Sequence, residues 1–250
     1  YAAEGGKNMR KSIGQELYLY RSNMGILAAV SAVSWLAGIL GMMVFQQLTK
    51  SGEALFPIGT VMLLWVGVIF SLFVLANIVP HNFDLAVSMG KTRKHYLPAA
   101  VCVIFLETLV IYVLAALGFR AERELYRALY HGRELMGNLG PFLTPAWILC
   151  YAIFETGCIC LYGGMLKKNR KVGAICWIIV WITACWSSGG FWGEYEEAEH
   201  SLMNSFAFWG YQLRLWYTGF PLGTRMAILV VCGLAGCCIM YLMLRKEAAD

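Results

Sequence analysis

Charge is scarce in this sequence. Only 14% of its 250 residues are Asp, Glu, Lys or Arg, whereas a soluble globular domain carries about a quarter. The charges are also clustered, so that long uncharged runs lie between them. Such runs are longer than a soluble core helix requires, and they match the ~20 residues that cross a bilayer as a helix. The composition therefore excludes an ordinary soluble domain and predicts an all-α polytopic membrane protein.

Motifs that carry chemistry are also missing. The sequence has no GxxxxGK[ST] phosphate-binding loop, no GxSxG and no HExxH. It therefore cannot bind and hydrolyse ATP through such a loop on its own. The four histidines are scattered, and the nine cysteines fall within hydrophobic spans without zinc-type spacing, which favours packing roles for them. We predict no catalytic residue, no metal site and no cofactor on this chain.

Six uncharged or nearly uncharged spans are present, and none of them contains Lys or Arg. They are approximately Met24–Phe45, Ile58–Pro80, Leu97–Phe119, Phe142–Leu166, Val172–Gly190 and Met226–Leu244. The preceding segment, 1–23, is polar and basic, with apolar residues at helical spacing, which predicts an amphipathic helix at the membrane surface. We expect one transmembrane domain over residues 1–250.

The basic residues predict the orientation of these spans. The N-terminus, the second and fourth loops and the C-terminus together carry 13 of the 20 Lys and Arg residues. Since cytoplasmic loops are enriched in these residues, we expect both termini to be cytoplasmic. The basic residues flank spans rather than forming one patch, which argues against a nucleic-acid partner.

Two segments on the opposite side are predicted to form helices of their own and not simple connecting loops. Residues 120–137 place Ala121, Leu125, Ala128, Leu129 and Met136 on one helical face, which predicts an external interfacial helix. Residues 187–224 are rich in aromatic side chains and also contain a cluster of acidic residues, Glu194, Glu196, Glu197 and Glu199. This composition predicts a pair of short helices that dip into the outer leaflet as a re-entrant segment.

Two acidic residues, Glu107 and Glu155, lie inside predicted spans. Intramembrane carboxyl groups are costly and commonly functional. They could line a translocation path or form a proton site. Equally, each could be a structural group that is hydrogen-bonded to Thr108, Thr156, Tyr151 or a neighbouring helix.

The segment 81–96, HNFDLAVSMGKTRKHY, lies between the second and third spans on the basic side. It combines a short amphipathic run, a glycine that permits a turn and a basic cluster. By local chemistry alone it is an ordinary loop that obeys the charge rule. Its pattern Phe83…Ala86…Gly90-Lys91-Thr92-Arg93-Lys94…Tyr96, however, resembles the F…A…G-x-[ST]-R-[KR]-x-[FY] segment of ABC-2-type transporter permeases. The junction from Gly163 to Gly173 is similar to that family's G-x-L-x-[KR]…G pattern.

The resemblance extends to the layout of nearly the whole chain, and it implies a non-catalytic permease subunit of a bacterial exporter in the cytoplasmic membrane. A separate ABC ATPase would carry ATP and Mg²⁺, and a second permease subunit, identical or different, would complete the path. Segment 81–96 would be the coupling helix, and segment 1–23 would be the connecting helix. The expected coupling residues are Phe83, Leu85 and Val87 as apolar anchors, Gly90 at the turn, and Lys91, Arg93 and Lys94 as charged contacts.

Two other classes of protein remain open. One is a polytopic membrane enzyme that uses Glu107 and Glu155. The other is a non-transporting sensor or scaffold whose aromatic external segment binds a peptide or a lipid. An ATPase that co-purifies with the chain would distinguish the permease from both.

Overall fold

A computed structural model of the chain describes residues 2–49, 55–88, 93–130, 139–192 and 202–245. These residues are almost entirely α-helical, which confirms the predicted all-α fold for the described part of the chain. A short 3-10 helix at Gly140–Leu143 precedes the fourth α-helix. The α-helices are α1 (Ala2–Thr49), α2 (Ile58–Ser88), α3 (Arg93–Leu129), α4 (Pro145–Lys168), α5 (Arg170–Trp192), α6 (Leu202–Thr218) and α7 (Leu222–Leu244).

Five of the described helices are long and apolar enough to cross a membrane. The stretches concerned are Ser22–Leu48 in α1, Ile58–Ser88, Tyr96–Leu129, Pro145–Lys168 and Leu222–Leu244. They coincide with five of the six predicted spans, and they identify a multi-pass membrane protein. The remaining predicted span, Val172–Gly190, falls within α5, which is not among these five helices.

Helices α1, α2 and α3 are longer than the spans predicted for them. The predicted surface helix over 1–23 is not a separate element, because α1 continues without interruption from Ala2 to Thr49. Similarly, α2 passes through Pro80 and ends at Ser88. The predicted external helix over 120–137 is, as far as residue 130, the continuation of α3 and its final turn. Residues 131–137 lie outside the described residues.

The bundle has two ends that buried clusters define. At the Lys167 end, a cluster joins the C-terminal ends of α2, α4 and α7 to the N-terminal end of α3, through Phe83, Leu166, Leu244 and Tyr96. At the Glu122 end, a second cluster joins α1 to the segment before α2 and to α3, through Ile39, Leu55 and Tyr126.

Helices α4 and α7 pack with their backbones in direct contact. A Cβ atom on Gly157 would lie 2.2 Å from the carbonyl oxygen of Gly233, and one on Gly236 would lie 2.4 Å from that of Gly157. Small residues permit such close approach between membrane helices. These three glycines therefore serve the packing of α4 on α7, whereas nothing lies within 4 Å of a Cβ atom added to Gly41 of α1.

In its described residues the aromatic segment 187–224 contains the end of α5, all of α6 and the start of α7, so the predicted pair of short helices is not confirmed. Helix α6 packs along α5, and residues 193–201, with the acidic cluster, lie outside the described residues. Arg225 fixes the corner between α6 and α7, since its Nε donates to the carbonyl oxygen of Phe220 at 2.8 Å and its guanidinium also donates to that of Thr218.

Candidate functional site

The last two turns of α2 form an ordered extension at the Lys167 end. Pro80 lies inside the helix, and α2 continues past it for eight residues to Ser88. In this extension Asp84 Oδ1 lies 2.8 Å from Nζ of Lys167, in the last turn of α4. The Lys167 side chain is only 5% exposed and that of Asp84 is 33% exposed. The ion pair therefore ties the end of α2 to the end of α4.

Phe83 holds the extension from the inside. Its side chain is completely buried, and its ring centre lies 6.0 Å from that of Tyr96 at an edge-on angle of 68°. Nζ of Lys167 lies 5.9 Å from the same ring centre. Of the three predicted apolar anchors, Phe83 faces the chain's own core and Val87 packs partly against it. Leu85 faces outward with 39% of its surface exposed.

The basic half of the predicted coupling segment is only partly described. Gly90 and Lys91 lie outside the described residues. Arg93 and Lys94 begin α3, where the structure describes their backbone. Their contact with a partner stays a prediction.

A sharp corner between α4 and α5 keeps further basic residues at this end. Only Asn169 separates the two helices, and its Oδ1 accepts a hydrogen bond from the backbone N–H of Val172 at 3.1 Å. A Cβ atom on Gly173 would lie 2.9 Å from the backbone nitrogen of Leu166, so the corner needs a residue without a side chain there. The exposed basic residues at the corner are Lys168, Arg170 and Lys171.

At the Glu122 end, α3 contacts the start of α2 through a buried carboxylate. Glu122 Oε1 accepts from the backbone N–H of Gly59 at 2.9 Å, and Oε2 accepts from the backbone N–H and hydroxyl of Thr60 at 2.8 and 2.7 Å. The first turn of a helix leaves its N–H groups without helical partners. Pro57, just before α2, has no side-chain acceptor to supply one. Glu122 of another helix therefore caps α2.

This contact shows which face of the segment 120–130 packs on the bundle. Glu122 and Tyr126 are fully buried, while Ala121, Ala128 and Leu129 of the predicted apolar face are exposed. The face that packs on the bundle carries the carboxylate because the amide groups of α2 solvate it.

Glu155 lies in a polar cluster in the interior of the bundle. Its Oε1 accepts a hydrogen bond from the Ser71 hydroxyl, and the Tyr112 hydroxyl interacts with the same carboxyl group. Beside this cluster, the hydroxyls of Thr108 and Thr156 lie 3.1 Å apart. Thr108 and Thr156 therefore bond to each other, whereas Glu155 is bonded to neighbouring helices through Ser71 and Tyr112, as the structural alternative predicted.

Glu107 is fully buried, and neither of its carboxyl oxygens has a hydrogen-bond partner among the described residues. It lies one turn before Ile111, whose side chain contacts Gly67 of α2. The two intramembrane acidic residues thus differ, because Glu155 is bonded and Glu107 is not.

A cavity of about 490 Å³ lies near Glu155. Residues of α2, α3, α4, α5 and the 3-10 helix line it, and most of them are apolar. Tyr112 belongs both to its wall and to the Glu155 cluster. Neither Glu107 nor Glu155 is among the lining residues, so the cavity is not the acidic path that the sequence suggested.

Sequence reasoning missed Glu122, Ser71 and the Asp84–Lys167 pair. The only signal for the pair was that opposite charges lie in two segments predicted on the same side. That signal could not select Lys167, because four basic residues lie close together at 167–171. For the cap of α2, the sequence offered two signals. Pro57 stands just before a predicted span, and Glu122 lies inside a helical segment elsewhere in the chain.

Comparison with protein-family models, with curated proteins and with solved structures gives no significant match. The proposal of a function therefore depends on the geometry above and on the resemblance of the 81–96 segment.

Proposed function

We propose that this chain is the permease subunit of an ABC exporter of the ABC-2 type, in a bacterial cytoplasmic membrane, with both termini in the cytoplasm. A separate ATPase subunit would bind ATP and Mg²⁺. A second permease subunit, a copy of this chain or a different one, would complete the translocation path. In this arrangement α5 is the fifth of six spans and α7 is the sixth, and the Lys167 end faces the cytoplasm.

The observation that carries the proposal is the extension of α2 past Pro80. A loop that only joined two spans would have no reason to remain helical and to fix a phenylalanine in the protein core. The extension instead has an inner face buried on Tyr96 and an outer position, Leu85, that is available to a partner.

The same extension can transmit force. The ion pair of Asp84 with Lys167 connects it to α4, and the contact of Phe83 with Tyr96 connects it to α3. Displacement of the extension by an ATPase would therefore move three spans together, which is what a coupling element must do.

The decisive test is co-purification with the ATPase encoded beside this chain's gene, followed by crosslinking. A cysteine in place of Leu85 is expected to crosslink to that ATPase. The matched control replaces Leu129, which is 49% exposed at the Glu122 end, and it is expected to give no crosslink. Both variants are made in a background that lacks the nine native cysteines.

Charge reversal provides the functional arm. Replacing Arg93 and Lys94 with glutamate, or Gly90 with tryptophan, is expected to lower transport-coupled ATPase activity while membrane insertion is retained. Charge reversal of Arg120, exposed at the Glu122 end, is the control. If the variants altered at Gly90 or at Arg93 and Lys94 showed normal ATP-dependent transport, the coupling assignment would be overturned.

A further inference from the structure

The cavity beside Tyr112 has no part in the proposed coupling. Its volume of about 490 Å³ lies within the range of about 300–1,000 Å³ that is usual for small-molecule sites. It lies between helices of a single chain, so it needs no second permease subunit to form. Five of its lining side chains are aromatic: Trp65, Tyr112, Phe142, Tyr151 and Trp181.

The aromatic wall is held in place by stacking. The ring of Tyr151 lies 5.7 Å from that of Tyr112 at an angle of 28°, and 5.3 Å from that of Trp147 at 20°. Rings that are already packed lose little freedom when a ligand arrives, and rigid aromatic surfaces bind at low entropic cost.

Tyr112 contributes a phenol hydroxyl to this mostly apolar lining, in addition to that of Tyr151. Its hydroxyl interacts with the buried Glu155 carboxyl group, which also accepts from Ser71. A phenol has one proton to donate. When Tyr112 donates that proton to Glu155, its oxygen can only accept a hydrogen bond from a ligand.

We propose that the cavity binds a small amphiphile whose apolar body lies against the aromatic wall and whose single hydrogen-bond donor, a hydroxyl or an amine, meets the Tyr112 oxygen. The acyl chain of a phospholipid fits the apolar part only, since it carries no donor. This site is independent of any ATPase, so it stands or falls separately from the proposed function.

Photolabelling of the purified full-length chain in lipid nanodiscs tests the proposal. The probe is 3-azi-1-octanol, an eight-carbon alcohol with a photoreactive group, and adducts are located by peptide mass spectrometry. We expect saturable labelling of Tyr151. Excess 1-octanol is expected to suppress it, and octane to do so only at a concentration roughly five-fold higher, because octane lacks the donor.

Two variants sharpen the test. Ile69→Trp adds bulk to a residue that lines the cavity, and it is expected to remove most of the labelling at Tyr151. Met62→Trp adds similar bulk on an exposed face of the same helix, and it is expected to leave the labelling unchanged. Tyr112→Phe keeps the ring and removes the acceptor, so octanol and octane should then compete equally.

Three results would overturn the proposal. One is labelling of Tyr151 that does not saturate. Another is equal competition by octane and 1-octanol with Tyr112 intact. The third is labelling of the cavity by a phosphatidylcholine with a diazirine in its acyl chain but not by 3-azi-1-octanol, which would identify the occupant as bilayer lipid.

Discussion

A carboxylate fixes α2 at each end of the bundle, but the two carboxylates have different partners. At the Lys167 end, Asp84 of α2 pairs with a lysine of α4, and a third of the aspartate remains exposed. At the Glu122 end, the carboxylate belongs to α3, is fully buried and accepts from two backbone N–H groups and one hydroxyl of α2.

The two contacts differ in how easily the carboxylate can change its partner. At the Lys167 end the lysine is buried but a third of the Asp84 side chain is exposed, so water can partly replace a lost partner of that aspartate. A buried carboxylate on helix amide groups has no such substitute, since its loss leaves those donors unsatisfied. We therefore expect α2 to be anchored at the Glu122 end and adjustable at the Lys167 end. Four substitutions test this expectation, from the largest effect to the smallest.

The largest effect should come from Phe83→Ala. Removing a completely buried phenylalanine leaves a cavity and costs about 3–5 kcal/mol of the free energy of unfolding. Unfolding in mixed detergent and SDS measures this. Leu85→Ala, two residues away and outward-facing, is the control. A cost below that of the control would show that the extension is not packed as described.

Glu122→Ala should cost about 2–3 kcal/mol, since it removes the acceptor of the α2 amides and of the Thr60 hydroxyl. The same unfolding titration measures it, and slow hydrogen exchange at Gly59 and Thr60 should become fast. If the exchange rates stayed unchanged, the cap would have another acceptor.

Lys167→Met should cost about 1–2 kcal/mol, because it leaves Asp84 without its partner while solvent partly compensates. A double-mutant cycle with Asp84→Asn isolates the pair. Lys168→Met alters the neighbouring exposed lysine and serves as the control. Additive effects in the cycle would contradict the ion pair.

The smallest effect should come from Glu124→Gln, at most a few tenths of a kcal/mol. Glu124 lies two residues after Glu122, and it bonds to the exposed Arg127 at 3.2 Å. Exposed pairs of this kind contribute little. If Glu124→Gln lowered the free energy of unfolding as much as Glu122→Ala does, the loss could not be attributed to the buried contact of Glu122 with α2.

The position of the spans could be predicted from the sequence because hydrophobic length is a local property. Five predicted spans coincide with described apolar helices. The distance by which a helix continues beyond its apolar stretch could not be predicted in the same way. The segment 81–88 is polar enough to be taken for a loop, and α2 remains helical there because Phe83 finds a core made by α3, α4 and α7.

The contacts between helices could not be predicted from a single sequence. Glu122 reaches residues 62 and 63 positions earlier, and Ser71 reaches Glu155 across 84 positions. Periodicity describes one helix at a time, so it cannot show that Glu122 reaches the open amide groups at the start of α2.

The glycine contact between α4 and α7 has a mechanical consequence. Where backbone meets backbone at Gly157, Gly233 and Gly236, there are no side chains whose rotation could absorb sliding of one helix against the other. We therefore expect α4 and α7 to move together. Because Lys167 lies in the last turn of α4, a tilt of these two helices would displace the contact with Asp84 near the end of α2.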